Sequence, residues 1–410
     1  MFAFTGSTKN ALLAVLIPAA VLLACPATGS SQVLEVHRIT LPSDTARVER
    51  LRLPGEVRIC AGGDVTLGTN LGAGWAERAA AGELADPAVL LAPLRPLVAD
   101  ADVVLLNVEA AIGEGPAPAK CGPRSTNCYA FRQPPAAAAA LRGVAPHARV
   151  VGNVANNHSG DAGAGGFRAT LDHLRRAGVE PTGADTLATV VGTAAGDTIA
   201  FLGFAASRGA HDSRDLAAVH RHVRRAAERH PLLVVSVHMG AEGAKAQRTR
   251  DRTEVFLGSI DRGNPVAFAR TAIEAGADLV VGHGPHVVRA MEWRGNALVL
   301  YSLGNLVTYG PFSNRPPMDR GALVCALLDR DGRTTEGTVR STLQREPGRV
   351  EIDATARAAI LADSLGRLDF PRSGVRIGGD GSLVVPERDS LGDQAAPAGR
   401  RNERERRKAP

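Results

Sequence analysis

Six short segments of this 410-residue chain end in side chains that bind metal ions or move protons. "GGDVTLG" carries Asp64, "LLNVE" carries Asn107 and Glu109, and "VANNHSGD" carries Asn156, Asn157 and His158. Further on, "LLVVSVHMGAE" carries His238 and Glu242, "DLVVGHGPH" carries His283 and His286, and "LVLYSLGN" carries Ser302 and Asn305. Imidazole with carboxylate and amide oxygen, and no thiolate, suits manganese, iron or zinc better than a structural zinc. Two carboxylates and four His/Asn donors could fill two neighbouring metal shells. Two ions about 3.5–4 Å apart activate a water and steady the leaving oxygen in phosphoryl transfer. A histidine outside the ligand set can protonate the leaving group near neutral pH, and His158 is the candidate.

Taken singly, each residue has an ordinary reading. Asp64, Asn156 and Asn157 suit turns, Asn107 and Glu109 suit a solvated strand end, Asp161 suits a loop or helix entry, and His238 suits a packed core. Their conjunction points to a site, and the surrounding elements must then bring them together. Apolar runs at 57–63, 102–109, 148–155, 198–205, 231–238, 277–283, 297–304 and 322–328 are nearly continuous, as in strands covered on both faces. Amphipathic helical patterns at 166–179 and 264–277 lie between some of them, with Gly178 as a stop signal, and with Asn264 as N-cap and Pro265 at the first helical position. This alternation predicts an α/β domain over 56–330. The carboxyl ends of strands in an open α/β sheet share one edge, so the six polar ends are expected to meet there. Residues 331–388, with one helix candidate at 354–368, read as a C-terminal extension. Loops 113–134 and 206–230 are expected to shape the pocket.

The charge balance is 48 basic to 42 acidic residues, and four of the six net charges fall in the last twelve residues. The body is close to neutral, which does not support a nucleic-acid footprint, and 389–410 reads as a solvated basic tail. Residues 11–24 form an apolar run broken by Pro18, too short for a membrane span of roughly 20 residues. Residues 1–25 therefore read as an export signal of lipoprotein type with Cys25 at the lipidation position, and 26–55 as a linker. Simple cleavage nearby is the alternative to a lipid anchor in the membrane. Cys121 and Cys128 are a candidate local disulfide, whereas Cys60 and Cys325 read as core thiols. Nothing in the sequence sets the oligomeric state.

In order, "GGDVTLG", "LLNVEAAIG", "VANNHSGDAGAGG", "VVSVHMGAEG", "GADLVVGHGPHVVRAMEW" and "LVLYSLGNLVTY" resemble the motifs of the CapA family of poly-gamma-glutamate capsule synthesis proteins, a branch of the calcineurin-like metallophosphoesterases. The resemblance covers about 57–310. It implies a four-layered α/β/β/α sandwich with a small C-terminal appendage, rather than the single open sheet that alternation alone suggests. It also implies roles: Asp64 at the first metal, Glu109 in the bridging place, Asn157 and His238 at the second metal, His283 and His286 completing the shells, and His158 as general acid. Asn107, Asn156, Glu242, Ser302 and Asn305 would touch substrate or support the ligands. Three departures stand out. The wider superfamily opens with Asp-x-His, but here Val65 and Thr66 follow Asp64. The bridging residue is a longer Glu, and the last histidines are spaced His-Gly-Pro-His. One full site with one weak site is thus as open as two full sites. The expected function is an exported, metal-dependent hydrolase acting on an anionic cell-envelope polymer or a phosphoester. The alternative is a non-catalytic assembly or export factor that binds an anionic capsule polymer through a metal or through Arg289 and Arg248.

Overall fold

A computed structural model describes residues 53–68, 85–114, 128–207, 211–310 and 313–386. The signal-like segment with Cys25, the linker up to residue 52, Cys121 and the basic tail lie outside these residues. The first half of the domain holds β1 (Val57–Thr66), α1 (Pro87–Leu91), β2 (Val103–Val108), α2 (Ala136–Gly143), β3 (Arg149–Asn153), α3 (Gly163–Ala177) and β4 (Val179–Thr182). The chain then forms β5 (Thr189–Gly192), β6 (Thr198–Ala205), α4 (Leu216–Ala227), β7 (Leu233–His238), α5 (Pro265–Glu274), β8 (Leu279–His283), β9 (Met291–Arg294) and β10 (Ala297–Leu300). It closes with β11 (Asn305–Thr308), β12 (Arg320–Leu328), β13 (Thr334–Arg345), β14 (Arg349–Ile352) and α6 (Arg357–Asp369). Among the described residues, one sheet runs β14-β13-β12-β1-β2-β3-β4 with β11 on the far end of β1, and a second runs β9-β10-β8-β7-β6-β5.

The layering follows from the two-residue period of the strands. Ile59, Ala61, Val103, Leu105 and Val324 of the first sheet join Phe201, Val234, Val281 and Leu300 of the second in one core between the sheets. The alternate residues point outward. Cys60, Val104, Leu106 and Leu323 pack with Leu90, Leu141 and Leu174 from α1, α2 and α3. Leu202, Phe204, Val235 and Val280 pack with Val219, Val223, Phe268 and Ala272 from α4 and α5. Both faces of both sheets are thus covered, giving the four-layered α/β/β/α sandwich with sheets packed face to face. The helix signals hold locally. Gly178 takes the left-handed conformation at φ 80° that ends α3, and the Asn264 side chain accepts hydrogen bonds from the backbone N–H of Val266 and Ala267 to start α5.

The C-terminal extension joins the first sheet directly: β13 pairs antiparallel with β12 from Arg320↔Leu343 to Leu328↔Thr334. Helix α6 also adds Ala358, Ala359 and Ala362 to the core between the sheets. Cys60 and Cys325, expected as free thiols, are instead joined in a disulfide. The cause is register: the two cysteines face each other in the antiparallel β1–β12 pair, although 265 residues separate them. Closing so long a loop removes much entropy from the unfolded chain. Replacing both cysteines by Ala is expected to lower stability by about 5 kcal/mol in denaturant unfolding under oxidising conditions. An unchanged midpoint would show that the bond contributes nothing. Cys128 is also disulfide-bonded, while Cys121, its expected partner, lies outside the described residues.

Candidate metal centre

Strand register assembles the site. Across the first sheet, Asn305 pairs with Asp64, Asp64 with Asn107, and Asn107 with Asn153, a row of four polar residues on neighbouring strands. Across the second sheet, His283 of β8 pairs with His238 of β7. The two rows meet: the His283 Nδ1 lies 3.9 Å from Asp64 Oδ1, and His238 Nε2 lies 3.5 Å from Glu109 Oε1. His286, carried by the loop after β8, places Nδ1 3.0 Å from Asp64 Oδ2 and 3.0 Å from Asn305 Oδ1. Its Nε2 faces Glu109 Oε1 at 3.7 Å and Glu242 Oε2 at 3.9 Å. The backbone of His286 is left-handed at φ 59°, uncommon for a residue with a Cβ and a form of strain that collects at functional sites. Gly284 beside it has φ 104°, and a Cβ there would come within 2.9 Å of His238 Nε2.

Asparagine side chains lock this arrangement. The backbone N–H groups of His158 and Ser159 donate to Asn156 Oδ1 at 3.0 and 2.8 Å. That fixes the Asn156 amide, whose Nδ2 donates to Asn107 Oδ1 at 3.2 Å and to the Val108 carbonyl at 2.9 Å. Asn153 Nδ2 donates to the same Asn107 Oδ1 at 2.9 Å. The Asn107 Nδ2 is therefore turned toward Asp64 Oδ1, to which it donates at 2.8 Å, and lies 3.2 Å from His238 Nδ1. Ser302 plays a local part: its Oγ accepts from the Gly304 N–H at 3.2 Å, on the way to Asn305.

His158 and Asn157 line a separate cavity of about 430 Å³ together with Glu242, Arg262, Tyr129 and Leu257. Asp161 Oδ2 lies 2.7 Å from His158 Nδ1 and accepts from the Phe131 N–H at 2.7 Å. The Phe131 ring stacks on the imidazole with centroids 4.0 Å apart. One face and one nitrogen of His158 are thereby fixed. Asp161 is thus the residue that orients His158, a role that its place three residues downstream did not reveal. Arg262 was also missed, because its approach to Glu242 at 3.0 Å crosses two loops. Arg289 and Arg248, the arginines expected to bind an anionic polymer, are engaged elsewhere. Arg289 is fully buried and donates to both carboxylate oxygens of Glu254, at 2.9 and 2.8 Å, while Arg248 donates to Asp369.

The charges respond strongly to this burial. Desolvation pushes the Asp64 carboxyl up, but the hydrogen bond to His286 and the charges of His286, His238 and His283 outweigh it and hold the carboxyl well below its usual range. Glu109 is driven well above the ordinary carboxylate range, first by burial and then by the charge of Asp64. Burial lowers His283 to about 4, and burial with the nearby Arg262 charge lowers His238 well below normal. Burial would also lower His286, yet the Glu109 charge and the contact with Asp64 carry it to about 10.

The donor set fits a divalent ion. Asp64, Glu109 and His238 offer ligand atoms that all lie within 4.8 Å of one another. Among the described residues, both carboxylate oxygens of Glu109, Nε2 of His238 and both ring nitrogens of His283 are buried without a hydrogen-bond partner. Buried polar atoms in native proteins are seldom left so, and a cation held there would satisfy them. Cys60, Asp100 and Cys325 also cluster, but those two thiols are joined in the disulfide and offer no thiolate.

Residues 58–309 match the family described as bacterial capsule synthesis protein PGA_cap. The capsule biosynthesis protein CapA of Bacillus anthracis is 28% identical over 174 residues, covering 38% of this chain and 39% of that protein. The PGA biosynthesis protein CapA of Bacillus subtilis is 29% identical over 171 residues, covering 38% and 41%. The chain thus spans less than half the length of these relatives. The 5'-nucleotidase precursor from Thermus thermophilus is similar in structure over 77% of this chain and 60% of its own, with a TM-score of 0.34 and 14% identity.

Proposed function

This chain belongs to the bacterial capsule synthesis protein family PGA_cap, and on that premise we propose that it is an exported, metal-dependent hydrolase of the phosphoesterase type, acting on an anionic cell-envelope polymer or a phosphoester. The observation that carries the reading is the buried cluster of Asp64, Glu109 and His238 with its unsatisfied ligand atoms. Asp64, Glu109, His238, His283 and His286 would hold one or two ions of manganese, iron or zinc, with Asn157 at the pocket side. Such an ion supplies a Lewis acid and lowers the pKa of bound water. The protein's own part is to exclude solvent, orient the ligands through Asn107 and Asn156, and hold His158 at the cavity wall, where it would give a proton to the leaving group. Export is supported by the Cys60–Cys325 disulfide, a bond that persists in oxidising compartments. Anchoring through a lipid on Cys25 remains part of the same proposal. The polymer-binding alternative loses the two arginines assigned to it, since Arg289 and Arg248 are both paired within the fold.

Two measurements test the reading. Metal analysis of the purified protein should find a bound divalent ion, and a chromogenic phosphodiester should be hydrolysed in its presence. A protein that takes up no divalent ion would end the proposal. The metal-free site also predicts a pH dependence. His283, at about 4, is already neutral in the neutral range. His286, at about 10, is protonated, with Nε2 directed at Glu109 and Glu242. A ligand nitrogen must give up its proton, so metal binding releases protons and tightens as pH rises. Calorimetric titration with Mn2+ in buffers of different ionisation heat should count that release. Affinity that stays flat between about pH 6.5 and 8.5 would remove His286 from the ligand set.

A further inference from the structure

Arg262 is a charged residue of the cavity that the proposed chemistry has not used. It follows the short strand Ile260–Asp261, is 3% exposed, and lines the cavity beside Asn157, His158 and Glu242. Its Nε donates to the Gly240 carbonyl at 3.0 Å. Its Nη2 stands 3.0 Å from Glu242 Oε1, yet among the described residues neither atom makes a hydrogen bond. The two opposite charges are close but misaligned. The same Nη2 lies at the edge of the metal centre: a Cβ built on Gly284 would be 3.1 Å from it and 2.9 Å from His238 Nε2. The other arginine of the cavity, Arg214, is held by Asp212 at 2.7 Å through Nε and at 2.7 Å through Nη2.

A buried guanidinium with an N–H lacking an acceptor favours an incoming oxyanion, which forms stronger hydrogen bonds than a neutral acceptor. Here the guanidinium lines a cavity beside the cluster where a reacting group would sit, with its Nη2 buried against Glu242. We propose that Arg262 is the specificity-determining residue that grips an oxyanion of the substrate, phosphate or carboxylate, and that Glu242 holds its place until substrate arrives. This rests on the hydrolase reading for its location but not for the binding itself. The grip selects substrates that carry a negative charge close to the bond attacked. Phe256, Leu257 and Ile260 line the same cavity and would offer apolar contact to the chain that bears the charge.

The test is titration of inorganic phosphate and, separately, glutarate into the full-length protein, with and without Mn2+, alongside Mn2+ titrations alone. Wild-type protein should bind at least one of the two oxyanions. Arg262→Lys should weaken that binding by about tenfold or more, because a lysine does not reproduce the guanidinium fork. Glu242→Gln should strengthen it severalfold by removing the competing carboxylate. A purely structural Arg262–Glu242 pair predicts the opposite for Glu242→Gln: a lower melting temperature and no gain in oxyanion binding. That result would overturn the proposal, as would unchanged binding in Arg262→Lys or no binding of either ion by wild type. Preference for phosphate over glutarate would mark a phosphoester substrate, and the reverse a carboxylate polymer. Arg262-dependent oxyanion binding in a protein that takes up no Mn2+ would sink the metal reading and leave this one standing.

Discussion

Glu109→Gln is expected to abolish tight metal binding and, in the same protein, to raise the melting temperature of the metal-free form. Both effects come from one carboxylate. Glu109 is 1% exposed, and among the described residues neither of its oxygens accepts a hydrogen bond. Burial and the Asp64 charge raise its pKa well above the ordinary carboxylate range. A group whose folded pKa is raised stabilises the protein fully below its unfolded pKa, and that contribution fades as pH rises toward the folded value. Wild-type and variant should therefore have similar stability at about pH 3.5, below the pKa of an unfolded glutamate. At about pH 8 the metal-free variant should be more stable by about 1–3 kcal/mol, the range for relieving an unsatisfied buried polar group. With Mn2+ the order reverses, because only the wild type gains from binding, by about 4 kcal/mol at a thousandfold excess over its dissociation constant. Melting curves at both pH values, with and without metal, separate these terms. A variant that is destabilised without metal at pH 8 would show that Glu109 is held by structure and not kept for an ion.

That one residue can both destabilise the fold and complete the site is the usual trade of function against stability, and it marks what the sequence could and could not reveal. The polar residues that end apolar strands were legible. Asn107, His238 and His283 each close an apolar run rich in Val and Leu, and Asp64 closes the run Ile59-Cys60-Ala61-Gly62-Gly63, so each stands out as the polar residue at a strand end. Strand β13 was not legible, because its buried positions include Thr334, Thr338, Ser341, Thr342 and Gln344, which carry no hydrophobic period. The extension from residue 331 therefore gave no sign that it continues the first sheet. The Cys60–Cys325 bond depends on which strands pair and in what register, information that no local pattern holds. Arg262 and Asp161 fall in the same class. Their partners are set by loops crossing in space or by a turn that folds back; residue type suggested only a loop or helix entry for Asp161 and nothing for Arg262. The residues that cluster at the strand ends, with Asn107 and Asn156 beside them, were thus readable from the sequence, and the contacts of Asp161 and Arg262 were not.

His158→Asn is expected to cut kcat by about 100- to 10,000-fold on a substrate with a poor leaving group, while leaving metal content and melting temperature close to wild type. The geometry gives the reason for both halves. His158 lies on the cavity wall with Asn157, and its backbone N–H donates to Asn156 Oδ1 whatever the side chain, so the amide network around Asn107 survives the change. What disappears is the imidazole held between Phe131 and Asp161. If that imidazole gives a proton to the departing oxygen, the loss must depend on how much the oxygen needs one. An alkyl phosphodiester should show nearly the whole effect, and a nitrophenyl ester, whose phenolate leaves readily, only a small part of it. Asp161→Asn keeps an acceptor for the Phe131 N–H but gives up the carboxylate at His158 Nδ1. It should lower kcat by about tenfold on the alkyl ester, with the same blunted response on the nitrophenyl ester. Equal losses on the two esters would place His158 in substrate positioning, and no loss on either would remove it from the chemistry.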